Sequence, residues 1–260
     1  MQQKNNAQQK INILISNDDG ADAPGINTLA DFVSNEHNVT VVAPDKNRSG
    51  SSSALTLDRP LRCRQLDNGY YALSGTPCDC VHIGSYRFMD TPPDMVLSGI
   101  NRGANMGDDV LYSGTVAAAM EGRHLGIPAV AVSLASYECN HYETAAQVIL
   151  KILFHLRDLS SASNIILNVN VPDLPLDEIK GYRLTRLGSR HRADNILPDT
   201  DPRGNDIFWI GPPSAPQDVG EGTDFDAVKQ GFVSITPLVV DFTAYESFQN
   251  MGDWVNKLGL

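Results

Sequence analysis

The amino-acid sequence predicts an α/β protein with a Rossmann-like, mostly parallel, doubly wound sheet and an extended β-rich C-terminal arm. Apolar segments of strand length recur at residues 11–16, 39–43, 95–97, 129–132 and 165–169. Helical spacing of apolar residues occurs between them at residues 25–36, 115–125 and 142–157. Uninterrupted apolar strands that alternate with helices are typical of a parallel sheet covered on both faces. In such sheets ligands bind beyond the carboxyl ends of the strands, so we search those loops for a site.

The chain divides into segments that differ in composition and expected structure. Residues 1–10 are rich in amides and predict a disordered tail, and residues 11–172 form the core. Prolines punctuate residues 173–222, so we expect an extended arm that reaches a neighbouring subunit. Residues 223–260 supply a returning strand and a C-terminal helix. Further strands are expected at residues 61–66 and 70–73 (a candidate hairpin insertion), 181–187, 207–210 and 231–237, and the last helix near 245–258.

Composition argues against several classes of partner. The chain has 260 residues and a formal net charge of −11. A duplex DNA binder needs a basic face, and an anionic membrane surface attracts basic segments, so neither is an expected partner. The sequence contains no apolar run long enough to span a membrane and no apolar leader. Its four cysteines match no zinc spacing, and we expect reduced thiols in a cytoplasmic protein.

Charge is unevenly distributed along the arm. Residues 180–192 carry five bases and no acid, whereas residues 200–246 carry eight acids and two bases, a net charge of −6. The simplest interpretation of both segments is solvated surface. The alternative is a basic strip that pairs with an acidic face, including one across a subunit interface. The bases of this strip are Lys180, Arg183, Arg186, Arg190 and Arg192.

Two adjacent carboxylates, Asp18 and Asp19, follow the first predicted strand. Adjacent acids repel each other unless a cation lies nearby, so the pair indicates a divalent cation site. A structural alternative is a cap for the helix at 25–36. That alternative is weak, because Asp22 and the Pro24-Gly25 turn lie closer to the start of the helix.

Two further loops supply neutral oxygen donors. Ser49 offers a hydroxyl after the second strand, and Gly50 lets the backbone approach a ligand closely. Residues 98–109 form a long loop rich in glycine and asparagine, in which Asn101 can supply an amide oxygen. With the two carboxylates these donors form an all-oxygen set, which suits Mg²⁺, Mn²⁺ or Ca²⁺ better than zinc.

The segment from Tyr112 to Thr115 opens the helix predicted at 115–125. Free backbone N–H groups and the positive end of the helix dipole favour an anion there, and this is compatible with an ordinary Ser or Thr cap. Ser113 is not expected to be a serine-hydrolase nucleophile, because no G-x-S-x-G motif surrounds it.

Taken together, the ordered blocks resemble the SurE family of stationary-phase survival proteins, which are metal-dependent 5′-(3′-)nucleotidases. The resemblance covers about residues 11–256. The matching blocks are Ser16-Asn17-Asp18-Asp19-Gly20 with Ala23-Pro24-Gly25-Ile26, Val42-Ala43-Pro44-Asp45 through Arg48-Ser49-Gly50, Ser98-Gly99-Ile100-Asn101 through Tyr112-Ser113-Gly114-Thr115-Val116, Gly126-Ile127-Pro128-Ala129, Asn168-Val169-Asn170-Val171-Pro172, Thr223-Asp224, and Gly231-Phe232-Val233-Ser234-Ile235-Thr236-Pro237-Leu238.

The resemblance implies an arm used in dimer or tetramer assembly and one oxygen-ligated divalent ion per subunit. The implied metal ligands are Asp18, Asp19, Ser49 and Asn101. The residues implied to line the phosphate site are Asn105, Ser113, Gly114 and Thr115, with Gly50 beside them. Two positions depart from the family pattern: Arg102 stands where a small residue is often found, and Cys78 replaces a small or hydroxyl residue.

The activity implied is hydrolysis of nucleoside monophosphates, and in some members of short polyphosphate. We expect Asp18 or Asp19 to orient or deprotonate the attacking water, and Asn105 to stabilise charge on the phosphoryl group. Attack by Asp18 itself stays an alternative, although the D-x-D spacing of aspartyl phosphatases is absent. The alternative from another class is a non-catalytic, metal-linked nucleotide-binding regulatory module with the same pocket.

Overall fold

The computed structural model describes residues 10–125, 127–156, 164–190, 196–211 and 215–258. Within these residues the strands are β1 (Asn12–Ser16), β2 (Asn38–Pro44), β3 (Cys63–Gln65), β4 (Tyr71–Leu73), β5 (Met95–Arg102), β6 (Ala129–Leu134), β7 (Ile166–Val171), β8 (Tyr182–Leu184), β9 (Ser189–Arg190), β10 (Ile196–Thr200), β11 (Asp206–Ile210), β12 (Pro216–Asp218) and β13 (Val233–Leu238). Nine of them form one sheet in the order β3-β4-β2-β1-β5-β6-β7-β13-β8. The predicted Rossmann-like α/β fold is confirmed.

The centre of the sheet is parallel and covered on both faces. Strands β4, β2, β1, β5, β6 and β7 all run parallel to their neighbours in this series. In β1 the fully buried Ile13 and Ile15 enter one core cluster, while Leu14 between them enters the other. Alternate side chains therefore serve opposite faces, which explains why these strands are apolar without interruption.

Helices cover both faces of the sheet, and four of those in the described residues pack there in pairs. They are α1 (Pro24–Ser34), α2 (Pro77–Arg87), α3 (Gly114–Glu121), α4 (Tyr142–Leu156), α5 (Asp224–Lys229) and α6 (Phe248–Asn256). One core cluster includes buried residues of α1 and α4, and the other includes those of α2 and α3. Asp79 completes a capping box with Thr76 at the start of α2.

The edges of the sheet carry the antiparallel strands. The hairpin of β3 and β4 joins the sheet through β4, which lies parallel to β2, so this hairpin extends the main sheet. At the other edge β13 runs antiparallel to β7 and parallel to β8. Two small antiparallel pairs lie outside this sheet, β10 with β11 and β9 with β12.

The strand expected at residues 95–97 is longer than the sequence indicated. β5 continues to Arg102, and its pairing with β6 resumes at Asn101 opposite Ser133 after an irregularity in register. The first part of the segment 98–109, predicted as a loop, is therefore strand. The sequence did not indicate this extension, because the uninterrupted apolar run ends at Leu97.

Most of the basic strip that the structure describes pairs with acids of the same chain. The ion pairs are Arg183 with Asp226 at 3.6 Å, Arg186 with Asp218 at 2.5 Å and Arg190 with Asp109 at 3.2 Å. Arg192 lies outside the described residues. All four cysteines are free thiols, and Cys78 and Cys80 are buried. Each helix of the described residues is too short or too polar to cross a membrane.

Candidate active site

The loops after β1, β2 and β5 meet at the carboxyl edge of the sheet. β1 lies between the other two strands, with Ile15 opposite Val41 and Ser16 opposite Ser98. The loop that carries Asp18 therefore starts beside the segments that lead into the other two loops. Three segments that are distant in the sequence are brought together by strand order alone.

Asp18 is a deeply buried carboxylate of this edge, with 4% exposure. Its Oδ1 accepts a hydrogen bond from Thr115 Oγ1 at 2.5 Å, and its backbone carbonyl accepts one from Arg48 N–H at 2.7 Å. A β-carbon on Gly114 would lie 2.7 Å from Asp18 Cβ and 2.9 Å from Asp18 Oδ2. Only glycine therefore lets the first turn of α3 pack directly on this carboxylate.

Asp19 is held by the two other segments. Its Oδ2 accepts a hydrogen bond from the backbone N–H of Arg102 at 3.0 Å, and its Oδ1 accepts one from Asn47 Nδ2 at 3.3 Å. Asn47 Oδ1 in turn accepts the backbone N–H of Ser49 at 2.9 Å. Asn47 thus links Asp19 to the loop that carries Ser49.

Burial raises the pKa of both carboxylates. For Asp18 burial is the largest cause, the Thr115 hydroxyl counteracts it, and the charge of Asp19 raises the pKa further. For Asp19 burial again dominates, partly offset by the N–H and charge of Arg102. Among the described residues neither carboxylate forms an ion pair with a basic side chain. A bound cation would favour their charged forms, so this environment fits a divalent ion.

The neutral donors lie on the segments that hold Asp19. Ser49 is exposed, and Gly50 follows it at φ +75° with open space around its α-carbon. Asn101 Nδ2 donates to the Gly103 carbonyl at 2.8 Å, which leaves the amide oxygen of Asn101 as the available donor to a cation. No described group of three or more His, Cys, Asp or Glu side chains forms a metal site, so this candidate depends on two carboxylates and neutral oxygens.

The N-terminus of α3 lies against Asp18. Ser113 caps the helix, since its Oγ accepts the N–H of Val116 at 3.1 Å. The Thr115 hydroxyl donates to the Asp18 carboxylate. Thr115 thus contacts Asp18 in the structure, and the role toward phosphate that the resemblance implies for it stays a prediction. Gly114, the first residue of α3, has no side chain and lies directly beside Asp18.

Asn105 is buried at the edge of the same region and is held by side chains of β6 and β7. Its backbone N–H donates to Asn170 Oδ1 at 2.8 Å, and its carbonyl accepts from Asn170 Nδ2 at 3.0 Å and Asn168 Nδ2 at 2.8 Å. Its own Nδ2 donates to Ser133 Oγ at 2.8 Å. All of these groups are buried.

The arm is fastened to the segment that follows Asn105. Asp224 is fully buried and accepts the N–H of Gly107 at 2.8 Å and the N–H of Gly188 at 2.9 Å. Burial raises the pKa of Asp224, although these N–H groups counteract the effect. Arg190 adds an ion pair with Asp109. The 3-10 helix Gly107–Leu111 therefore connects the candidate site to the base of the arm.

The family model described as "Survival protein SurE" matches residues 13–194 of this chain. The chain belongs to the SurE family. It is 55% identical over 248 residues to the protein named 5′-nucleotidase SurE of Legionella pneumophila (strain Corby), covering 95% of this chain and 98% of that protein. The protein of the same name from strain Paris is 54% identical over the same length. The crystal structure of SurE protein from Aquifex aeolicus superposes with a TM-score of 0.79 at 42% identity, covering 92% of this chain and 97% of that one.

In this SurE chain, sequence reasoning missed the residues that hold the candidate side chains in place. Asn47, Ser133, Asn168 and Asn170 contact Asp19 or Asn105, yet none was singled out for a site. Asn168 and Asn170 did carry a signal, because two asparagines interrupt an otherwise apolar strand. Arg102, one of the two departures, donates its Nε to the Tyr137 carbonyl at 2.6 Å.

Proposed function

We propose that this chain is a divalent-metal-dependent 5′-nucleotidase that hydrolyses nucleoside 5′-(3′-)monophosphates to nucleoside and phosphate, with short polyphosphate as a further substrate. The observation that carries the proposal is the packing of Asp18, the first member of the Asp18–Asp19 pair, against the first turn of α3. Carboxylates and an anion-attracting helix end are adjacent there. A phosphate would sit unfavourably beside two acids unless a cation lay between them.

The proposed ligands of one divalent ion are oxygens of Asp18, Asp19, Ser49 and Asn101. Hard oxygen donors of this kind suit Mg²⁺, Mn²⁺ or Ca²⁺. When bound, such an ion supplies positive charge that polarises the phosphate and lowers the pKa of a bound water.

The chain itself supplies orientation and hydrogen bonds. Asn105 donates to the phosphoryl oxygens, and the α3 N-terminus at Ser113, Gly114 and Thr115 binds the phosphate. Thr115 holds Asp18 in one orientation through the hydroxyl contact. Gly50, with open space around it, lets the substrate approach the backbone. Asp18 or Asp19 orients the attacking water and accepts its proton.

We also propose that residues 173–222 mediate self-association as a dimer or tetramer in the cytoplasm. The support is the hairpin of β10 and β11, whose large apolar side chains are exposed in the single chain. These are Ile196, Leu197, Phe208, Trp209 and Ile210. Apolar exposure on this scale is typical of an interface. Duplex nucleic acid and membrane are not proposed partners.

The test is replacement of Asp19 by Asn, with release of phosphate from AMP measured in the presence of Mn²⁺. We expect a loss of turnover of at least about 100-fold, since a charge that faces the cation and the reacting phosphate is removed. The matched control is Asp22→Asn, because Asp22 is an exposed acid of the same loop. Near-normal turnover of Asp19→Asn would overturn the assignment.

Two further measurements separate the alternatives. Tight AMP binding in calorimetry without phosphate release by the wild-type chain would favour the regulatory module over the enzyme. Mass analysis of the protein after reaction would detect an acyl-phosphate on Asp18 if that residue attacked the phosphorus directly. We expect an unmodified Asp18, because the carboxylate is engaged by Thr115 and packed under Gly114.

A further inference from the structure

Two asparagines occupy positions of β7 where a central strand ordinarily carries apolar side chains. Asn168 and Asn170 are both 0% exposed and, two residues apart, lie on the same face of the sheet. Asparagine is depleted in strands, and burial of an amide is unfavourable unless the amide is hydrogen-bonded. Their presence at the centre of the sheet therefore needs a specific hydrogen-bonding partner.

That partner is the backbone of Asn105. The carboxamide of Asn170 accepts the Asn105 N–H at 2.8 Å and donates to the Asn105 carbonyl at 3.0 Å. Asn168 donates to the same carbonyl at 2.8 Å. Asn170 thus pairs with both backbone groups of Asn105, much as a neighbouring strand would. Contacts from two side chains of one rigid strand fix where Asn105 lies and how its peptide is turned.

The side chain of Asn105 is held by the adjacent strand. Its Nδ2 donates to Ser133 Oγ at 2.8 Å, and Ser133 lies directly opposite Asn170 in the register of β6 and β7. One cross-strand pair therefore fixes the backbone and the side chain of Asn105 together. A carboxamide nitrogen carries two N–H donors, so one remains for an external acceptor after the contact with Ser133.

We propose that Asn170, assisted by Asn168, is a positioning residue that holds the free N–H of Asn105 toward the phosphoryl group. The inference rests on the proposed function, because it assigns the acceptor as a phosphate oxygen. Asn168 and Asn170 are fully buried and do not touch substrate. Their effect is to hold a hydrogen-bond donor in place before charge develops on the phosphoryl oxygens, which is the condition under which such a donor accelerates a reaction.

A double-mutant cycle tests the proposal. The variants Asn170→Ala, Asn105→Ala and the double variant are compared with the wild type for kcat and KM of AMP hydrolysis with Mn²⁺. We expect Asn170→Ala to lower kcat by about 10- to 100-fold with little change in KM, because the donor is misplaced by a fraction of an ångström or more. In the Asn105→Ala background the same replacement should lower kcat no further, since Asn170 acts only through Asn105.

The matched control is Ser234→Ala. Ser234 is a fully buried polar residue of β13 that lies opposite Asn170 in the register, but its hydroxyl contacts Thr185. We expect this variant to keep the wild-type kcat. Equal losses of kcat from Asn170→Ala in the presence and absence of the Asn105 side chain would overturn the proposal. So would a loss of kcat in Ser234→Ala as large as that in Asn170→Ala.

A second variant and a second measurement keep the result interpretable. If Asn170→Ala does not fold, Asn170→Asp enters the same cycle with the same two outcomes, because it keeps an acceptor for the Asn105 N–H and loses the donor to the carbonyl. Hydrogen exchange at the Asn105 backbone N–H should accelerate in Asn170→Ala, which removes the acceptor of that N–H, and stay unchanged in Ser234→Ala. Unchanged exchange in a folded Asn170→Ala chain would overturn the proposal. A wild-type chain that releases no phosphate overturns the proposed function itself, whereas an active wild type with additive kcat losses overturns the positioning role alone.

Discussion

Replacement of Gly114 by alanine tests the contact between α3 and Asp18 with one carbon atom. The new β-carbon would lie 2.7 Å from Asp18 Cβ, 2.9 Å from Asp18 Oδ2 and 3.0 Å from Ser51 Oγ. The optimal carbon–carbon separation is about 3.5–4.0 Å, so the helix or the carboxylate must move by about 1 Å. The Asp18 side chain would then lose its alignment with the Thr115 hydroxyl.

The magnitude follows from that displacement. A misplacement of about 1 Å in a catalytic group costs on the order of 100-fold in rate, which corresponds to about 2.7 kcal/mol. Stability should fall less. Overpacking costs about 1–3 kcal/mol, and alanine in place of glycine in a helix returns roughly 0.5–1 kcal/mol. The predicted signature is therefore a large loss of kcat with a net destabilisation of about 1–2 kcal/mol.

The assay is release of phosphate from AMP as a function of Mn²⁺ concentration, with thermal unfolding measured in parallel. We expect a lower kcat and a higher Mn²⁺ concentration for half-maximal activity. The matched control is Gly252→Ala, since Gly252 lies in α6 and has no heavy atom within 4 Å of an added β-carbon. Wild-type kcat in Gly114→Ala would refute the packing argument. Equal losses in both variants would refute it as well.

Three further predictions concern the arm and the stability of the core. Arg190→Ala should destabilise the chain by about 0.5–1 kcal/mol, and less at high salt, because the partly exposed ion pair with Asp109 is lost. Although burial raises the pKa of Asp79, its hydrogen bonds outweigh that effect and lower it, so the stability from this carboxylate is present above pH about 3.9 and lost as pH falls through its folded pKa. Acid titrations of unfolding should show a shallower loss for Asp79→Asn. Trp209→Asp in the β10–β11 hairpin should dissociate an oligomer in light scattering, whereas replacement of the even more exposed Leu57 outside the arm by Asp should not.

The sheet was predictable because its strands are apolar on both faces, and the failure at β5 shows where that signal ends. The prediction stopped at Leu97, the last residue of the apolar run, but the ladder with β6 resumes at Asn101 opposite Ser133. The end of β5 is polar at Asn101, a candidate ligand, and at Arg102, whose N–H donates to Asp19. Hydrophobic periodicity therefore fails to predict the end of a strand where that strand begins to carry functional residues.

The short-range motifs of the candidate site could be predicted from the sequence, but the residues that hydrogen-bond to them and hold them in place could not. The Asp18–Asp19 pair and the Ser113 cap each depend on residues adjacent in the sequence. Asn47 contacts Asp19, and Asn170 contacts the backbone of Asn105 across 65 positions of sequence. Such contacts follow from strand order, which determines which loops meet. The one usable signal was chemical: an asparagine in a buried strand requires a partner, and the sequence does not say which.

A net charge of −11 would oppose an anionic substrate if the charge were spread evenly over the surface. In the structure the charge is uneven. Acids of the arm region are partly neutralised by neighbouring bases, as in the pairs of Arg183 with Asp226 and Arg186 with Asp218. The site carboxylates lack such bases among the described residues, and burial raises the pKa of both. Asp18, with Asp19 beside it, packs on an anion-attracting helix end without a neutralising side chain, and this supports the proposed cation site. The same two aspartates that would repel a phosphate are therefore the reason to expect that this enzyme binds its substrate together with a metal.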